Sequence, residues 1–141
     1  MAEAPDTGAV ASELRAVVGQ LVRRLRARGS FPLSQGSVLG RLDREGPLSV
    51  SDLAHAERVR PQSMAQTVGD LEQAGLVSRR PDPHDGRRAL VELTDAGREA
   101  VARERADRAS WLALAIGEEL TRGEQQALAR ALPLLRRLAD R

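Results

Sequence analysis

Two groups of side chains in this sequence have the types and spacing to bind a large polar or anionic partner. The first is arginine in pairs: Arg79 and Arg80 close one apolar stretch and Arg87 and Arg88 open the next, with "PDPHDG" between them. A guanidinium is a planar fork of N–H donors that matches phosphate oxygens and the acceptor edges of bases. The second group is Gln62, Ser63, Gln66 and Thr67, uncharged side chains able both to donate and to accept. It is preceded by Arg58 and Arg60, and no acidic residue falls between Arg58 and Val68.

These residue types bind rather than catalyse. The chain has no cysteine, so disulfides, thiolate chemistry and thiol redox sensing are excluded. No nucleophile–base pair, glycine-rich phosphate loop or framed pair of carboxylates is present, and neither an enzyme nor a bound cofactor is expected. His84 stands between Asp82 and Asp85, but one imidazole on a turn does not make the defined tetrahedral site that zinc requires. His55 is alone on its helix, and no metal site is expected.

Composition sets further bounds. At 141 residues the chain suits one small domain with helical extensions. All 22 basic residues are arginine, a bias that GC-rich coding produces by itself, and the net charge is only +2. Overall charge therefore does not argue for nucleic acid; placement must carry that argument. Phe31 and Trp111 are the only aromatics, so Ala, Leu and Val must pack the core. Either aromatic could line a small-molecule pocket, although large apolar residues on helices are more often core or interface. No apolar run reaches membrane-span length and the N-terminus lacks a signal-peptide core, so a cytoplasmic location is expected.

The elements that must position the two groups follow from local pattern. Residues 1–9 are expected to fray. Leu14, Val17, Val18, Leu21, Val22 and Leu25 recur at helical spacing, giving a helix over about 10–29. Ser34 is a candidate N-cap for a short helix that "EGP" stops. Ser49 with Asp52 has capping-box spacing for a third helix ending near Glu57. Pro61 suits the first position of a fourth helix, about 61–74, buried along Met64, Val68 and Leu71 and stopped by Gly75. "LVSRR" and "ALVEL" then pair as strands across a tip at 81–88. Thr94 caps a long helix reaching about Gly117. Thr121 with Glu124 opens a last helix, which Pro133 should kink rather than end.

Short helices joined by a tight turn and followed by a two-stranded hairpin describe a winged helix-turn-helix over 31–97. The polar side chains at 62, 63, 66 and 67 could approach base edges in a major groove, with Arg58 and Arg60 near phosphates. Of Arg79 and Arg80, one is expected to face phosphate and the other to be structural. Arg87 and Arg88 on the tip could reach a minor groove, with Asp85 fixing the Arg87 guanidinium and Gly86 allowing positive φ.

"DPHDGRRALVELT" resembles the wing signature of the MarR family of bacterial transcriptional regulators, an Asp-x-Arg tip leading to Leu-Thr at the next helix. The frame "DLA…V.P…..V..LEQAGLVSR" is similar to that family's helix-turn-helix. The resemblance covers residues 33–97 well, and the flanking helices agree in order and length. It implies a mainly α fold with a small β-hairpin wing, flanked by dimerisation helices at 10–29 and within 94–141. It implies a homodimer on a pseudo-palindromic double-stranded operator, with Arg87 in the minor groove. Leu14, Val17, Leu21, Leu128, Leu132 and Leu135 would then lie at the dimer interface. Repression relieved by a small aromatic or anionic effector is also implied.

The sequence departs from the family in places. Arg60 occupies the position before Pro61 where a capping Ser is frequent, and Gln66 stands where many members have Arg. Region 31–97 holds more acidic than basic residues. A winged helix used only for protein–protein contact is the alternative; it would call for an apolar or acidic face at 58–67.

Overall fold

The computed structural model describes residues 4–141. In chain order the elements are α1 (Thr7–Ala27), α2 (Leu33–Glu45), β1 (Leu48–Ser49), α3 (Val50–Glu57), α4 (Pro61–Gln73), β2 (Val77–Pro81), β3 (Ala89–Leu93), α5 (Asp95–Glu119) and α6 (Arg122–Ala139). The fold is mainly α, with one three-stranded antiparallel sheet among the described residues. The chain forms two compact units, residues 1–104 and 105–141, and α5 passes from the first into the second.

The core of the first unit is aliphatic. Val38, Leu39 and Leu42 from α2, Leu53 from α3, and Met64, Val68 and Leu71 from α4 meet Val77 of β2 and Val91 of β3. Each of these is at most 3% exposed. Burying one such side chain contributes about 1.5–3 kcal/mol, so this cluster decides how α3 and α4 sit on the sheet. Arg41 adds a polar brace from α2, its guanidinium 2.7 Å from Glu57 at the end of α3 and 2.8 Å from Glu45.

The sheet order is β1-β3-β2. The hairpin pairs Val77 with Leu93 and Pro81 with Ala89, as the alternation of "ALVEL" predicts. β1 is an addition to the sequence reading: Leu48 and Ser49 pair with Val91 and Leu90. Two residues are too few to show a period of two.

Local chemistry sets the helix ends around the helix-turn-helix. Ser49 Oγ accepts the Asp52 N–H at 3.0 Å, capping α3. Arg58 ends that helix in the left-handed region (φ 56°, ψ 42°), a conformation that costs a non-glycine residue about 1 kcal/mol. At the far end of α4, Gly75 takes φ 76°. The Leu76 N–H then reaches the Leu71 carbonyl and the Gly75 N–H the Glu72 carbonyl, a Schellman closure that aims the chain into β2.

A second junction joins the sheet to α5. The Thr94 hydroxyl donates to the Gly75 carbonyl at 2.6 Å and accepts the Gly97 N–H at 3.1 Å. The Thr94 N–H bonds the Leu76 carbonyl at 3.0 Å. Gly97 is obligatory here, because a Cβ would lie 2.0 Å from the Leu76 carbonyl oxygen. Further along, the buried carboxylate of Glu104 accepts the Ser30 N–H at 2.5 Å and fastens the α1–α2 connection to α5.

Several expected boundaries shift. α1 begins at Thr7, with Asp6 Oδ1 accepting the Gly8 N–H at 2.9 Å, so residues 7–9 are helical rather than frayed. Residues 1–3 of that expected frayed stretch lie outside the described residues. α2 begins at Leu33 after Pro32, and Ser34 is inside it rather than capping it. Pro32 is itself the N-cap, with φ -52° and ψ 148°, and it has no side-chain acceptor to offer the first-turn N–H groups.

In the second unit, Thr121 and Glu124 form the reciprocal capping box and open α6. The Gln125 side-chain amide donates to the Leu120 carbonyl at 2.9 Å, satisfying a carbonyl beyond the end of α5. α6 continues through Pro133 to Ala139. Neither α1 nor α6 buries a single residue among those described.

Candidate nucleic-acid interface

The site is built on α4 and the β2–β3 hairpin. The buried stripe Met64–Val68–Leu71 fixes the rotation of α4, so Gln62, Ser63 and Gln66 are exposed on the other side and Thr67 is half-buried. Arg58, Val59 and Arg60, in the turn before α4, are exposed. Arg60 is the N-cap and gives no side-chain acceptor, while Pro61 occupies the first position. The departure from a capping Ser at this position thus leaves α4 without a side-chain cap.

Two of the four polar side chains are already oriented. Gln66 Nε2 donates to Asp70 Oδ1 at 3.0 Å, and the Thr67 hydroxyl donates to the Ser63 carbonyl at 3.1 Å. Asp70 belongs to this face through its contact with Gln66, although the charge pattern alone places it beyond the binding segment. The i,i+4 spacing of Gln and Asp is the signal that identifies the pair.

The wing tip is organised by carboxylates accepting backbone N–H groups. Asp82 Oδ1 accepts from His84 N at 2.8 Å, and Asp85 Oδ1 from Arg87 N at 3.1 Å. The Asp82 N–H bonds the Arg88 carbonyl at 2.9 Å and closes the loop. The His84 N–H, helped by the Asp85 N–H and the nearby Arg88 charge, holds the Asp82 carboxyl below its ordinary pKa.

Two expectations for the tip are corrected. Asp85 holds the Arg87 backbone rather than its guanidinium, because an aspartate two residues back reaches the main chain before it can reach a long side chain. Gly86 does not take positive φ; among the described residues only Arg58, Gly46 and Gly75 do. The turn bends through the Asp85 side-chain contact instead.

The four wing arginines line one open groove, yet they are not equivalent. Arg88 Nη2 lies 2.7 Å from Asp52 Oδ2 and 2.7 Å from Ser49 Oγ, so its fork is turned back onto α3. Arg80 Nε lies 3.0 Å from Glu92 Oε2, and Arg79 Nε lies 3.4 Å from Glu72 Oε2. Both members of the Arg79–Arg80 pair thus have carboxylate partners, in place of the expected division into one structural and one outward arginine. Arg87 is exposed and enters no ion pair among the described residues. Asp52, Glu72 and Glu92 were not identifiable as wing partners from sequence, since only the folded hairpin brings the Arg88–Asp52 and Arg80–Glu92 pairs together.

The arrangement can present a mixed donor–acceptor face from α4 and one uncommitted guanidinium from the wing. Comparison with known proteins identifies the family. The family model described as "MarR family" matches residues 30–88. An HTH-type transcriptional regulator of Mycobacterium bovis is 41% identical over 134 residues, 93% of this chain and 93% of that protein. The HTH-type transcriptional repressor MdtR of Bacillus subtilis is 30% identical over 105 residues, 72% of this chain and 67% of the repressor.

Among solved structures, a transcriptional regulator protein of Pseudomonas aeruginosa superposes with a TM-score of 0.82 at 37% identity, covering 97% of this chain and 99% of that one. A variant of S. aureus MepR, solved bound to an oligodeoxyribonucleotide, shares the fold with a TM-score of 0.67 at 21% identity, covering 92% and 97%. These relatives are transcriptional regulators and not enzymes. The winged helix-turn-helix assembled above is a DNA-binding one, and the chain belongs to the MarR family of transcriptional regulators.

Proposed function

We propose that this regulator is a homodimeric, cytoplasmic repressor of transcription that a small aromatic or anionic molecule releases from its operator. In this reading α4 enters the major groove of a pseudo-palindromic duplex and Arg87 enters the adjacent minor groove. Arg58 and Arg60 lie along phosphates. The observation that carries it is the α4 face itself. Gln62, Ser63 and Gln66 stand exposed opposite the buried stripe, in a segment with no acid from Arg58 to Val68.

Dimerisation is supported by unpartnered aliphatic side chains. Val17 and Leu21 of α1 are 50% and 38% exposed, and Leu132 of α6 is 52% exposed. Leu14, Leu128 and Leu135 are half-buried. Aliphatic stripes of this kind on helices with no fully buried residue among those described suit a symmetric interface. Repression follows the repressor among the relatives, and duplex binding follows the oligonucleotide complex of the structural neighbour. No described helix is long and apolar enough to cross a membrane.

The test is a gel shift of the full chain on its own promoter DNA, read beside sedimentation. A dimer that shifts promoter fragments in preference to bulk DNA is the expected result. A sequence-indifferent monomer would overturn the proposal.

A further inference from the structure

The Gln66–Asp70 contact fixes more than a rotamer. A side-chain amide can be turned end for end, but a carboxylate only accepts, so the group facing Asp70 must be the Nε2 amine. Gln66 therefore presents outward its Oε1, which has no partner among the described residues, and one remaining N–H. Thr67 is restricted in the same sense. Its only hydroxyl proton goes to the Ser63 carbonyl, which leaves lone pairs and a methyl group for any partner.

The exposed middle of α4 is thus biased toward acceptors. In the major groove adenine shows an N6 amino donor beside the N7 acceptor, and cytosine shows an N4 amino donor alone. Guanine shows two acceptors, N7 and O6. An Oε1 beside a single N–H fits the adenine pair of groups. Against guanine, Oε1 would meet an acceptor with the Asp70 carboxylate close behind it. The usual reader of guanine is arginine or lysine, and α4 has neither between Pro61 and Gln73.

We infer that Gln66 reads adenine in the operator half-site, and that Asp70 is the positioning residue that imposes this choice. The inference rests on the proposed entry of α4 into the major groove and names the base that groove must offer. Asp70 has opposing effects in this arrangement. Its charge repels the duplex whatever the sequence, while its hydrogen bond sharpens discrimination at one base pair.

The experiment is selection of binding sites from random duplex DNA by the full-length protein, followed by titration at fixed salt of the selected site. The titration is repeated on a copy in which A·T is changed to G·C at the position that Gln66→Ala ceases to discriminate. The wild type should enrich adenine there, and the exchange should weaken binding about tenfold or more. Asp70→Ala should bind all DNA more tightly yet bring the two sites within about threefold of each other. Asp70→Asn, which removes the charge but keeps an acceptor for Nε2, should also bind all DNA more tightly and retain the adenine preference.

Enrichment of guanine at that position, or undiminished discrimination by Asp70→Ala, would overturn the inference while leaving duplex recognition standing. If the wild type enriched a sequence that Gln66→Ala left unchanged, this inference alone would fail; if the wild type enriched no sequence at all, major-groove entry by α4 would itself fail, and this inference with it.

Discussion

Arg88 and Asp52, on the wing and on α3, are joined by a 2.7 Å contact between guanidinium and carboxylate. The same nitrogen sits 2.7 Å from the hydroxyl of Ser49, whose oxygen also caps α3. One arginine thus ties the hairpin to the start of the helix-turn-helix. Rigid placement of a hairpin reduces the entropy lost on docking, so under the proposed function the contact would matter more for binding than for folding. Both side chains are about half exposed, and pairs of this kind stabilise a fold by roughly 0–1 kcal/mol.

Arg88→Ala should therefore leave the melting temperature nearly unchanged while speeding amide exchange across residues 82–89. Exchange at wild-type rates would show that the clamp does not restrain the wing.

Arg87→Ala addresses the uncommitted guanidinium. It should weaken operator binding, reduce the slope of log affinity against log salt by about 1, and leave the oligomeric state unaltered. Affinity equal to wild type across the salt titration would remove Arg87 from the interface.

Gly97→Ala probes the junction of sheet and α5. The new methyl would sit 2.0 Å from the backbone oxygen of Leu76, which cannot swing away as a side chain would. Forced overpacking costs about 1–3 kcal/mol, and a clash with backbone belongs at the upper end. Chemical denaturation should show that loss; a stability equal to wild type would mean that the Thr94–Leu76 contacts yield easily.

The tip should respond to acid in a defined direction. The Asp82 carboxyl is held low chiefly by the His84 N–H, so it stabilises the turn at neutral pH. A depressed carboxylate contributes above its unfolded pKa and loses that contribution as pH falls through the folded value. The His84 amide resonance should accordingly titrate with a midpoint below about 3.9, the ordinary aspartate value. In Asp82→Asn that midpoint should vanish. A midpoint at or above the ordinary value would contradict the contact.

Leu132→Glu tests the proposed two-fold. The residue is 52% exposed in the single chain, so a charge there costs the fold little but would be buried without a partner in a helix–helix interface. Sedimentation should report monomers, and operator binding should fail with them, because half-sites about one helical turn apart require a rigid pair. An undisturbed dimer would move the interface elsewhere.

Much of this fold was legible because its signals are local. Pro61 and Gly75 bracket α4, Thr94 caps α5, and Thr121 with Glu124 opens α6, each through a contact spanning at most a few residues. What escaped sequence reading depends on distance along the chain. Arg88 meets Asp52 and Ser49 only after the hairpin folds back, and β1 exists only because β3 offers an edge. The Asp85 expectation chose the wrong donor on Arg87, since spacing alone does not distinguish main chain from side chain. The Gln66–Asp70 pair was available from i,i+4 spacing, but the charge pattern set Asp70 beyond the binding segment, so the two were not read together.

The pairing of Arg79, Arg80 and Arg88 with Glu72, Glu92 and Asp52 has a kinetic corollary. Under the proposed docking, a wing whose cations are mostly answered by acids of α3, α4 and β3 would exert little pull on an arbitrary stretch of chromosome. Such a protein would let go of wrong addresses quickly, which would shorten its search, and would depend on the matched address to hold it.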